Sequence, residues 1–566
     1  MKIKTGKPLA LIIVMCFIAM AVAGCTPQGG QEPGGEAGEY TPDLNENGHD
    51  LNSIVRWSYD WPTYADPGVG SSGSCSMVHP NLYSPLVWPG DDGTMKPHVA
   101  ESWTISDDGT TYTFKIRQGI KFHSGNILTA KDVAWSMNRL LTIGEGYSYL
   151  FNGIVKSCEA PDDETVVIRL EEPFAPFIGT LPRLYVLDSE LVMQHLDMNA
   201  DTTYGEYGDY GKAWLLANDA GSGPYCMIDP QLESYVKGEK FDDWFMGWDE
   251  DAPDFFMLTS QCDPVAIRTA FANEEMELSV GAIPQETVAE LRNMGMNVYT
   301  TRGVGTWNIM LNTRIAPTDD VNFRKALASA FDYDTMVNSI FPGNDKCAGP
   351  IVDGMFGKNE NLEGYKYDLD LAREYLAKSK YANDPSSWVV ELAWCAEVPE
   401  QEKISLMWQA ACKELGVTVN ITKTPFSVMS ANAQKIETTP HASIVLWSPT
   451  YLEAGDVFSS RYHSKSTGSW EQMEWLLDEE LDAMIDASLS ITDDAQRAEA
   501  YAEIEEYIYE LCPTIWMCNA NGNSICQPYI EWDYAEASHA GQVSPLPGGY
   551  ATVAADLRIH PEMRKR

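Results

Sequence analysis

The stretch from Ala100 to Leu141 restricts the fold most tightly, because one short run specifies both kinds of secondary structure. After an Asp-Asp-Gly turn, residues 111–116 alternate polar and apolar side chains, and this period of two predicts a half-buried strand that pairs with residues 103–105 in a hairpin. Thr129, followed three residues later by Asp132, predicts a capping box at the start of a helix with one apolar face. A hairpin that leads into such a helix indicates an α/β protein.

The same stretch holds a candidate reactive group, His123, with Ser124 beside it and Asp107 and Asp108 nearby. A catalytic His needs a further group that orients it as a base. The sequence indicates no such group for His123. We therefore interpret His123 as a structural, hydrogen-bonding side chain and the whole stretch as scaffold.

The length of the chain beyond residue 50, about 515 residues, exceeds what one hydrophobic core supports, so two or three domains are expected. Strand and helix patterns alternate along this length, which favours α/β domains. Three helices are predicted within residues 319–331, 402–417 and 495–513, where apolar residues recur at helical spacing.

The N-terminus predicts export. Lys2, Lys4 and Lys7 precede the apolar run Leu9–Val22, which is shorter than the roughly 20 residues of a membrane span. The run ends in Ala-Val-Ala-Gly-Cys, and small residues before a Cys are typical of a bacterial lipoprotein signal. We predict a signal peptide at residues 1–24, with Cys25 as the lipid attachment point.

The residues that follow, 25–50, are rich in Gly, Pro and acidic side chains and poor in apolar ones, so they predict a flexible tether. The expected location is extracytoplasmic, anchored to the outer face of the cytoplasmic membrane. A host with two membranes would place the protein in the periplasm or on the outer membrane.

Composition excludes several classes of function. The formal net charge of −43 makes nucleic acid an unfavourable partner. No Cys pair has C-x2-C spacing and the nine His are scattered, so neither a metal site nor a cofactor is expected. Cys512, Cys518 and Cys526 are candidates for a disulfide. Neither G-x-S-x-G nor H-E-x-x-H occurs, so an exported hydrolase is not expected.

The run from Leu86 to Leu141, "LVWPGDDGTMKPHVAESWTISDDGTTYTFKIRQGIKFHSGNILTAKDVAWSMNRLL", resembles the solute-binding proteins of peptide/nickel-type ABC importers. In that family an acidic-Gly hairpin leads into a "GvkFhdG..ltA.DV" pattern. Further similar segments follow in the family's order: "YADP" (64–67), "NLYSPLV" (81–87), "DDETVVIRLEEPFAPFIGTL" (162–181), "GSGPY" (221–225), "IRTAFANEEMELSVGAIPQETVAEL" (267–291), "WNIMLNTRIAPTDDVNFRKALASAFDYDTM" (307–336) and "YDLDLAREYLAKSKY" (367–381).

This resemblance implies a periplasmic-binding-protein-like α/β fold, with two lobes joined by a hinge and an extra domain inserted in lobe one. The implied boundaries are 51–94, 221–306 and 518–566 for lobe one, 95–220 for the inserted domain and 307–517 for lobe two. It further implies hinge closure around a solute, and a monomer that docks on an ABC permease with its cytoplasmic ATPase.

The candidate ligand site lies in "VLWSPTYLEAGDVF", residues 445–458, which resembles the family's "W.aDY.dP..f". The Asp of that motif holds the α-amino group of a peptide ligand. Trp447 and Tyr451 match the motif, but Thr450 stands where the Asp would be. Glu453 falls at the second acidic position, so the acid is either displaced or lost.

The remaining candidate contacts come from other segments. Dipeptide-binding members carry an Arg for the ligand carboxylate, whereas residues 395–401 here contain no basic residue and offer Glu397. Trp307 and Asn308, at the implied first crossing between lobes, and Ser72 complete the predicted site.

The resemblance implies that the ligand is a peptide or peptide-like solute, and the altered charge positions predict weak binding of simple dipeptides. An oligosaccharide, a cationic metabolite and a nickel or haem chelate stay open as ligands. A sensory or pheromone receptor on the same fold stays open as a function.

Overall fold

A computed structural model of the protein describes residues 40–59, 64–231, 234–260, 263–280 and 283–564. The predicted signal peptide, Cys25 and most of the predicted tether therefore lie outside the described residues. Residues 43–50 were predicted as tether but have defined structure: Leu44 bridges to Asp50, and His49 contacts Glu239 at 2.8 Å. The tether prediction is wrong at its C-terminal end, because polar side chains on residues 239–254 hold this segment.

A four-stranded antiparallel sheet contains the hairpin predicted within Ala100–Leu141. Its strands, in spatial order, are Ala100–Ile105, Thr111–Ile116, Thr165–Leu170 and Val155–Glu159. Trp103 pairs with Phe114 across the predicted hairpin. The helix Ala130–Ile143 covers one face of this sheet and begins with the capping box formed by Thr129 and Asp132, so the local prediction is confirmed.

A seven-stranded mixed sheet collects strands that are far apart in the sequence. Its spatial order is Tyr225–Gln231, Tyr235–Lys240, Phe255–Thr259, Ile54–Ser58, Leu278–Ser279, Gly522–Cys526 and Asn297–Thr301. The strand Ile54–Ser58 runs parallel to both of its neighbours, and the other pairs are antiparallel.

A five-stranded mixed sheet carries the loop with the candidate ligand site. Its spatial order is Thr418–Thr424, Val389–Cys395, Ala442–Trp447, Thr306–Leu311 and Thr514–Asn519. A buried apolar cluster with Ile309, Leu392, Trp408 and Ile444 packs against it. The two-stranded pairings in the rest of the described chain are Ser84–Pro85 with Tyr185–Val186, Val87–Pro89 with Met95–Pro97, and Ile530–Glu531 with Arg558–Ile559.

Helices occupy the segments between the strands, and those predicted from apolar spacing are present. The helices are Gly73–Leu82, Ala130–Ile143, Phe177–Thr180, Ser189–Met193, Pro264–Ala272, Gln285–Asn293, Val321–Ser329, Tyr333–Thr335, Leu369–Lys378, Glu400–Glu414, Phe426–Asn432, Ala454–Arg461, Glu479–Leu489, Asp494–Leu511 and Asp533–His539. The helix Glu400–Glu414 buries Ile404 and Trp408 as the pattern predicts.

The chain passes between the seven-stranded and five-stranded sheets twice, and the two connections lie side by side. Residues 302–305 lead into the strand Thr306–Leu311, and residues 520–521 lead out of Thr514–Asn519. Ala520 donates its N–H to the carbonyl of Gly305 at 2.8 Å. A side chain on Gly303 would collide with the carbonyl of Ala520, so the two connections approach closely only because that residue is Gly.

His123 links the segment after the hairpin, through hydrogen bonds, to residues 219–223, which precede the strand Tyr225–Gln231 of the seven-stranded sheet. Its Nδ1 lies 2.6 Å from Asp219 Oδ1 and its Nε2 lies 3.0 Å from the carbonyl oxygen of Gly223. Both neighbours accept hydrogen bonds, so both ring nitrogens donate and the ring is charged. Burial lowers the pKa of His123, but Asp219 and Cys226 together outweigh burial, and the pKa lies well above the ordinary value.

The cysteines of the described residues are free thiols. Cys512, Cys518 and Cys526, the candidates for a disulfide, are all buried and unbonded to one another. Burial raises the pKa of Cys518 and of Cys526 to about 12, so these thiols behave as small apolar groups.

Candidate functional site

The loop after Trp447 connects the strand Ala442–Trp447 to the helix Ala454–Arg461. Asp456, in the first turn of that helix, accepts the N–H of Thr450 at 2.5 Å and the N–H of Tyr451 at 3.3 Å. Ser460 donates its hydroxyl to the same carboxyl group at 3.2 Å. Burial raises the pKa of Asp456 to about 7 against the opposing effect of these bonds. Asp456 therefore stabilises the conformation of the loop through these hydrogen bonds.

Thr450 lies at a contact between two segments of the protein. Its Oγ1 is 3.2 Å from the hydroxyl of Tyr149, which belongs to the short helical turn Gly146–Leu150 beside the four-stranded sheet. Thr450 is half-buried and the Tyr149 side chain is largely exposed, so this contact lies at the edge of an accessible space. The position that carries an Asp in the family motif thus faces a phenol.

Tyr451 and Glu453 are both engaged by protein groups. Tyr451 is buried against the apolar cluster of the four-stranded sheet, where Phe174 meets its ring edge-on at 6.4 Å. Glu453 Oε1 accepts from Arg497 Nε and from the Tyr501 hydroxyl, each at 2.7 Å. The carboxylate at the second acidic position is therefore already paired, and burial raises the pKa of Glu453 although Arg497 opposes it.

The two tryptophans predicted for the site are buried in apolar clusters. Trp447 is 4% exposed, and the guanidinium carbon of Arg461 lies 5.6 Å from its ring centre. Trp307 stacks on Phe341 with ring centres 4.9 Å apart. Both side chains pack within the part of the molecule built on the five-stranded sheet.

The other predicted contacts occupy separate places. Asn308 is fully buried; its Nδ2 donates to the carbonyl and hydroxyl of Thr306, and its Oδ1 has no hydrogen-bond partner among the described residues. Glu397 is exposed and accepts from the N–H of Phe426 at 3.1 Å. Ser72 is exposed and caps the helix Gly73–Leu82. The structure therefore brings Thr450, Tyr451 and Glu453 together on one loop, and Ser72 and Glu397 lie elsewhere.

A cavity of about 360 Å³ lies between the hairpin and the region around Glu453. The hairpin contributes Trp103, Ile105 and Tyr112 to its wall, and Phe356 and Arg497 form the opposite wall. Sequence reasoning missed this cavity, because the two walls come from segments more than 240 residues apart.

A cluster of phenols around Arg183 was missed as well. The guanidinium carbon of Arg183 lies 4.8 Å from the ring centre of Tyr147 and 5.8 Å from that of Tyr550. The ring of Tyr147 lies 6.2 Å from that of Tyr149, which contacts Thr450. An arginine with apolar neighbours on both sides, as in "LPRL", was the available sequence signal.

The described part of the chain shows neither a metal site nor a membrane-spanning helix. It contains no group of three or more His, Cys, Asp or Glu side chains with the geometry of a metal site. Nor does any helix there combine the length and the apolar character required to cross a membrane.

The family model of the bacterial extracellular solute-binding proteins, family 5 (middle region), matches residues 94–469. The chain belongs to this family. Among curated relatives, the probable D,D-dipeptide-binding periplasmic protein DdpA of Escherichia coli is 26% identical over 81% of this chain and 87% of its own length. A di/tripeptide-binding protein of Pseudomonas aeruginosa is 24% identical over 80% of this chain and 86% of its own length.

Solved structures of other solute-binding proteins share the fold of this family 5 member. The ABC transporter substrate-binding protein CtaP from Listeria monocytogenes superposes with a TM-score of 0.76 at 21% identity, covering 89% of this chain and 99% of its own. NikA from Brucella suis, in complex with Fe(III)-EDTA, gives a TM-score of 0.74 at 22% identity, with 89% and 100% covered. The two-lobed, periplasmic-binding-protein-like α/β fold expected from the sequence is thereby confirmed.

Proposed function

We propose that this protein is the lipid-anchored, extracytoplasmic solute-binding component of an ABC importer. It captures a peptide or peptide-like solute by closing two lobes around it and delivers the solute to a membrane permease with a cytoplasmic ATPase. Membership of the solute-binding family supports the class of function. The curated relatives that bind D,D-dipeptides and di- or tripeptides support the class of solute.

The observation that carries the proposal is the contact between Tyr149 and Thr450. It joins the segment around the four-stranded sheet to the loop of the five-stranded sheet, at the motif position where peptide-binding members hold their ligand. A solute between these two surfaces contacts both only when they approach each other. Its binding therefore shifts the population of the protein toward the closed arrangement.

The paired connections between the large sheets are the proposed hinge. Within the described chain, residues 302–305 and 520–521 join the seven-stranded and five-stranded sheets, and Gly303, Gly305 and Ala520 make up half of these residues. Few φ and ψ angles need to change for the lobes to rotate at such a place. The lobe boundaries 51–94, 95–220, 221–306, 307–517 and 518–566 are part of this proposal.

The loop does not offer a free carboxylate to a ligand ammonium group. Thr450 stands at the position of the family's Asp, and the carboxylate of Glu453 is paired with Arg497. Asp456 is buried and accepts hydrogen bonds from backbone N–H groups of the loop. A buried ammonium without a paired acid is unfavourable. We therefore propose that the solute is a longer or amino-modified peptide rather than a free dipeptide.

The anchor and assembly state complete the proposal. A lipid on Cys25 would hold the protein at the outer face of the cytoplasmic membrane, and the protein would act as a monomer. No chemistry on the solute is needed for this role.

The test is native mass spectrometry of the mature protein as purified, followed by calorimetric titration with the compound that it retains and with Ala-Ala. A retained peptide-like compound that binds, together with weak or absent binding of Ala-Ala, supports the proposal. Sub-micromolar binding of Ala-Ala contradicts the interpretation of Thr450. Failure of all retained compounds and peptides to bind contradicts the function itself.

A further inference from the structure

The cavity of about 360 Å³ beside the hairpin has walls from two parts of the protein that are proposed to move against each other. One wall consists of the hairpin and residues 175–179. The opposite wall consists of Phe356, residues 451–453 and the start of the helix Asp494–Leu511. Under the proposed boundaries, the first wall belongs to the inserted domain of lobe one and the second to lobe two. The cavity is therefore a feature of the closed arrangement.

Direct contacts beside the cavity hold its two walls at a fixed separation. Ala175 donates its N–H to the carbonyl oxygen of Leu489 at 2.8 Å. The ring of Phe174 meets that of Tyr451 edge-on, with ring centres 6.4 Å apart. Ala175 and Tyr451 themselves line the cavity. The width of the cavity is thus set by packing between the two lobes.

The charged side chains in the lining are already paired with one another. Arg497 Nε donates to Glu453 at 2.7 Å, and its Nη2 donates to Asp494 at 2.9 Å. The remaining nitrogen, Nη1, donates to the carbonyl oxygen of Ile491 at 2.9 Å. A charged occupant would lose its water and find no free counter-charge, which is costly. The lining therefore favours an uncharged molecule.

Aromatic rings dominate the apolar part of the lining. Four of them contribute, and both walls are represented: Trp103, Tyr112, Phe356 and Tyr451. Aromatic rings pack favourably on one another in offset or edge-on contacts. An apolar cavity of roughly 150 Å³ is large enough to hold benzene, so this larger cavity has room for two fused rings, about 9–15 non-hydrogen atoms.

The cavity is separate from the contact at which the solute is proposed to bind. Of the described residues that line it, none is Tyr149 or Thr450. Tyr451 directly follows Thr450 on the same loop, and its side chain is 4% exposed. An occupant of the cavity would therefore contact the solute loop through the neighbouring side chain.

We propose that this cavity is a second binding site, for an uncharged aromatic compound of two fused rings, and that its occupant favours closure of the lobes. The coupling to closure rests on the proposed function, whereas the site itself does not. An occupant that needs both walls binds the closed arrangement alone. It therefore raises the affinity for the solute, and the solute raises the affinity for the occupant by the same factor.

The test titrates the mature protein by calorimetry with indole, an uncharged probe of two fused rings. Tryptamine and indole-3-acetate carry the same rings with a positive or a negative charge. The titration of the compound that the purified protein retains is repeated in saturating indole. The melting temperature of each variant is measured, so that a folding defect is recognised.

Two variants fill the cavity and one is a matched control. Gly179 lines the cavity, and a Cβ there would meet only the Tyr451 ring, at an ordinary contact distance of 3.8 Å. Gly179→Leu therefore extends into the cavity without backbone strain. Ile105→Trp, at a hairpin position that is 46% exposed, fills it from a second position. Ala483→Leu adds the same side chain as the first variant at an exposed site in the helix Glu479–Leu489.

We expect wild type and Ala483→Leu to bind indole with a dissociation constant of roughly 0.1 mM, as for a ligand of this size. Tryptamine and indole-3-acetate should bind at least about tenfold more weakly, because the charges of the lining are paired. Gly179→Leu and Ile105→Trp should bind indole at least about tenfold more weakly than wild type. Saturating indole should raise the affinity of wild type for the retained compound by about fivefold or more.

The other outcomes separate the site from the function. No indole binding to wild type, or indole binding that both folded filling variants retain, overturns the site. Equal or stronger binding of a charged analogue overturns the class of occupant. An affinity for the retained compound that indole leaves unchanged overturns the coupling to closure. If the retained compound does not bind at all, the proposed function fails, while the indole titrations still decide the site.

Discussion

Replacing Asp66 by Asn should destabilise the protein strongly, because it leaves a buried arginine without its counter-charge. Asp66 belongs to the "YADP" segment, and its two carboxylate oxygens accept from Arg139 Nη1 at 2.8 Å and Arg139 Nη2 at 2.6 Å. The two side chains are 2% and 1% exposed. Arg139 lies in the helix Ala130–Ile143, so the pair ties this helix to the loop after the first strand of the seven-stranded sheet.

Removing one partner of such a buried pair costs about 3–5 kcal/mol, because the remaining charge stays uncompensated. Asp66→Asn keeps the shape of the side chain and can still accept a hydrogen bond from the N–H of Gly68. The change in the free energy of unfolding therefore reports the loss of the charge. The free energy of unfolding is measured by urea titration at pH 7, followed by tryptophan fluorescence. The double variant Asp66→Asn/Arg139→Met should be less destabilised than the sum of the two single variants.

A matched control is Asp163→Asn, which removes the partner of Lys131 from an ion pair with a similar distance of 2.7 Å and both side chains more than 60% exposed. Solvent screens that pair, so no measurable change is expected. If Asp66→Asn unfolds at the same urea concentration as the control, the claim that this buried pair holds the helix is refuted.

The remaining predictions concern pH, anchoring and ligand choice. The pKa of His123 is raised in the folded protein, so the stabilisation from its charged ring is complete below the ordinary pKa and is lost as pH rises through the folded value. The pKa of Asp219 is lowered, so the stabilisation from its carboxylate is lost as pH falls through the folded value. His123→Gln should therefore flatten the loss of stability at alkaline pH in urea titrations, and an unchanged profile would contradict the assignment of a charged ring. Cys25→Ser should abolish palmitate labelling and release the protein from membranes; labelling that persists would contradict the lipid site. Thr450→Asp places a carboxylate beside Tyr149 and should strengthen binding of peptides with a free N-terminus relative to their acetylated forms, by about tenfold or more in calorimetry; equal affinities would show that this position does not face the ligand.

Local patterns were enough to predict the elements that the sequence specifies locally. The hairpin at 103–116 and the capping box of Thr129 and Asp132 depend on residues within a few positions of one another, and the structure contains both. The seven-stranded sheet could not be predicted from such patterns, because its strands range from Ile54 to Cys526. The family resemblance implied which segments form lobe one, but not the order of the strands in this sheet.

The candidate site, too, was predictable only where it depends on residues close together in the sequence. The motif around Trp447 identified the loop, but the state of Glu453 depends on Arg497, which is 44 residues further along the chain. In the sequence Glu453 left open whether the acid is displaced or lost, and in the fold its carboxylate is paired with Arg497 and Tyr501. The local signal of Arg183 was limited to its apolar neighbours in "LPRL", because the surroundings of its guanidinium come from residues far apart in the sequence.

In the proposed function, solute binding closes two lobes about the paired connections at residues 302–305 and 520–521. Small-angle X-ray scattering of the mature protein, stripped of its retained compound and then resaturated with it, tests this most directly. The radius of gyration should be smaller when the compound is bound, with unchanged molecular mass. An identical scattering curve under saturating, calorimetrically verified binding would contradict hinge closure.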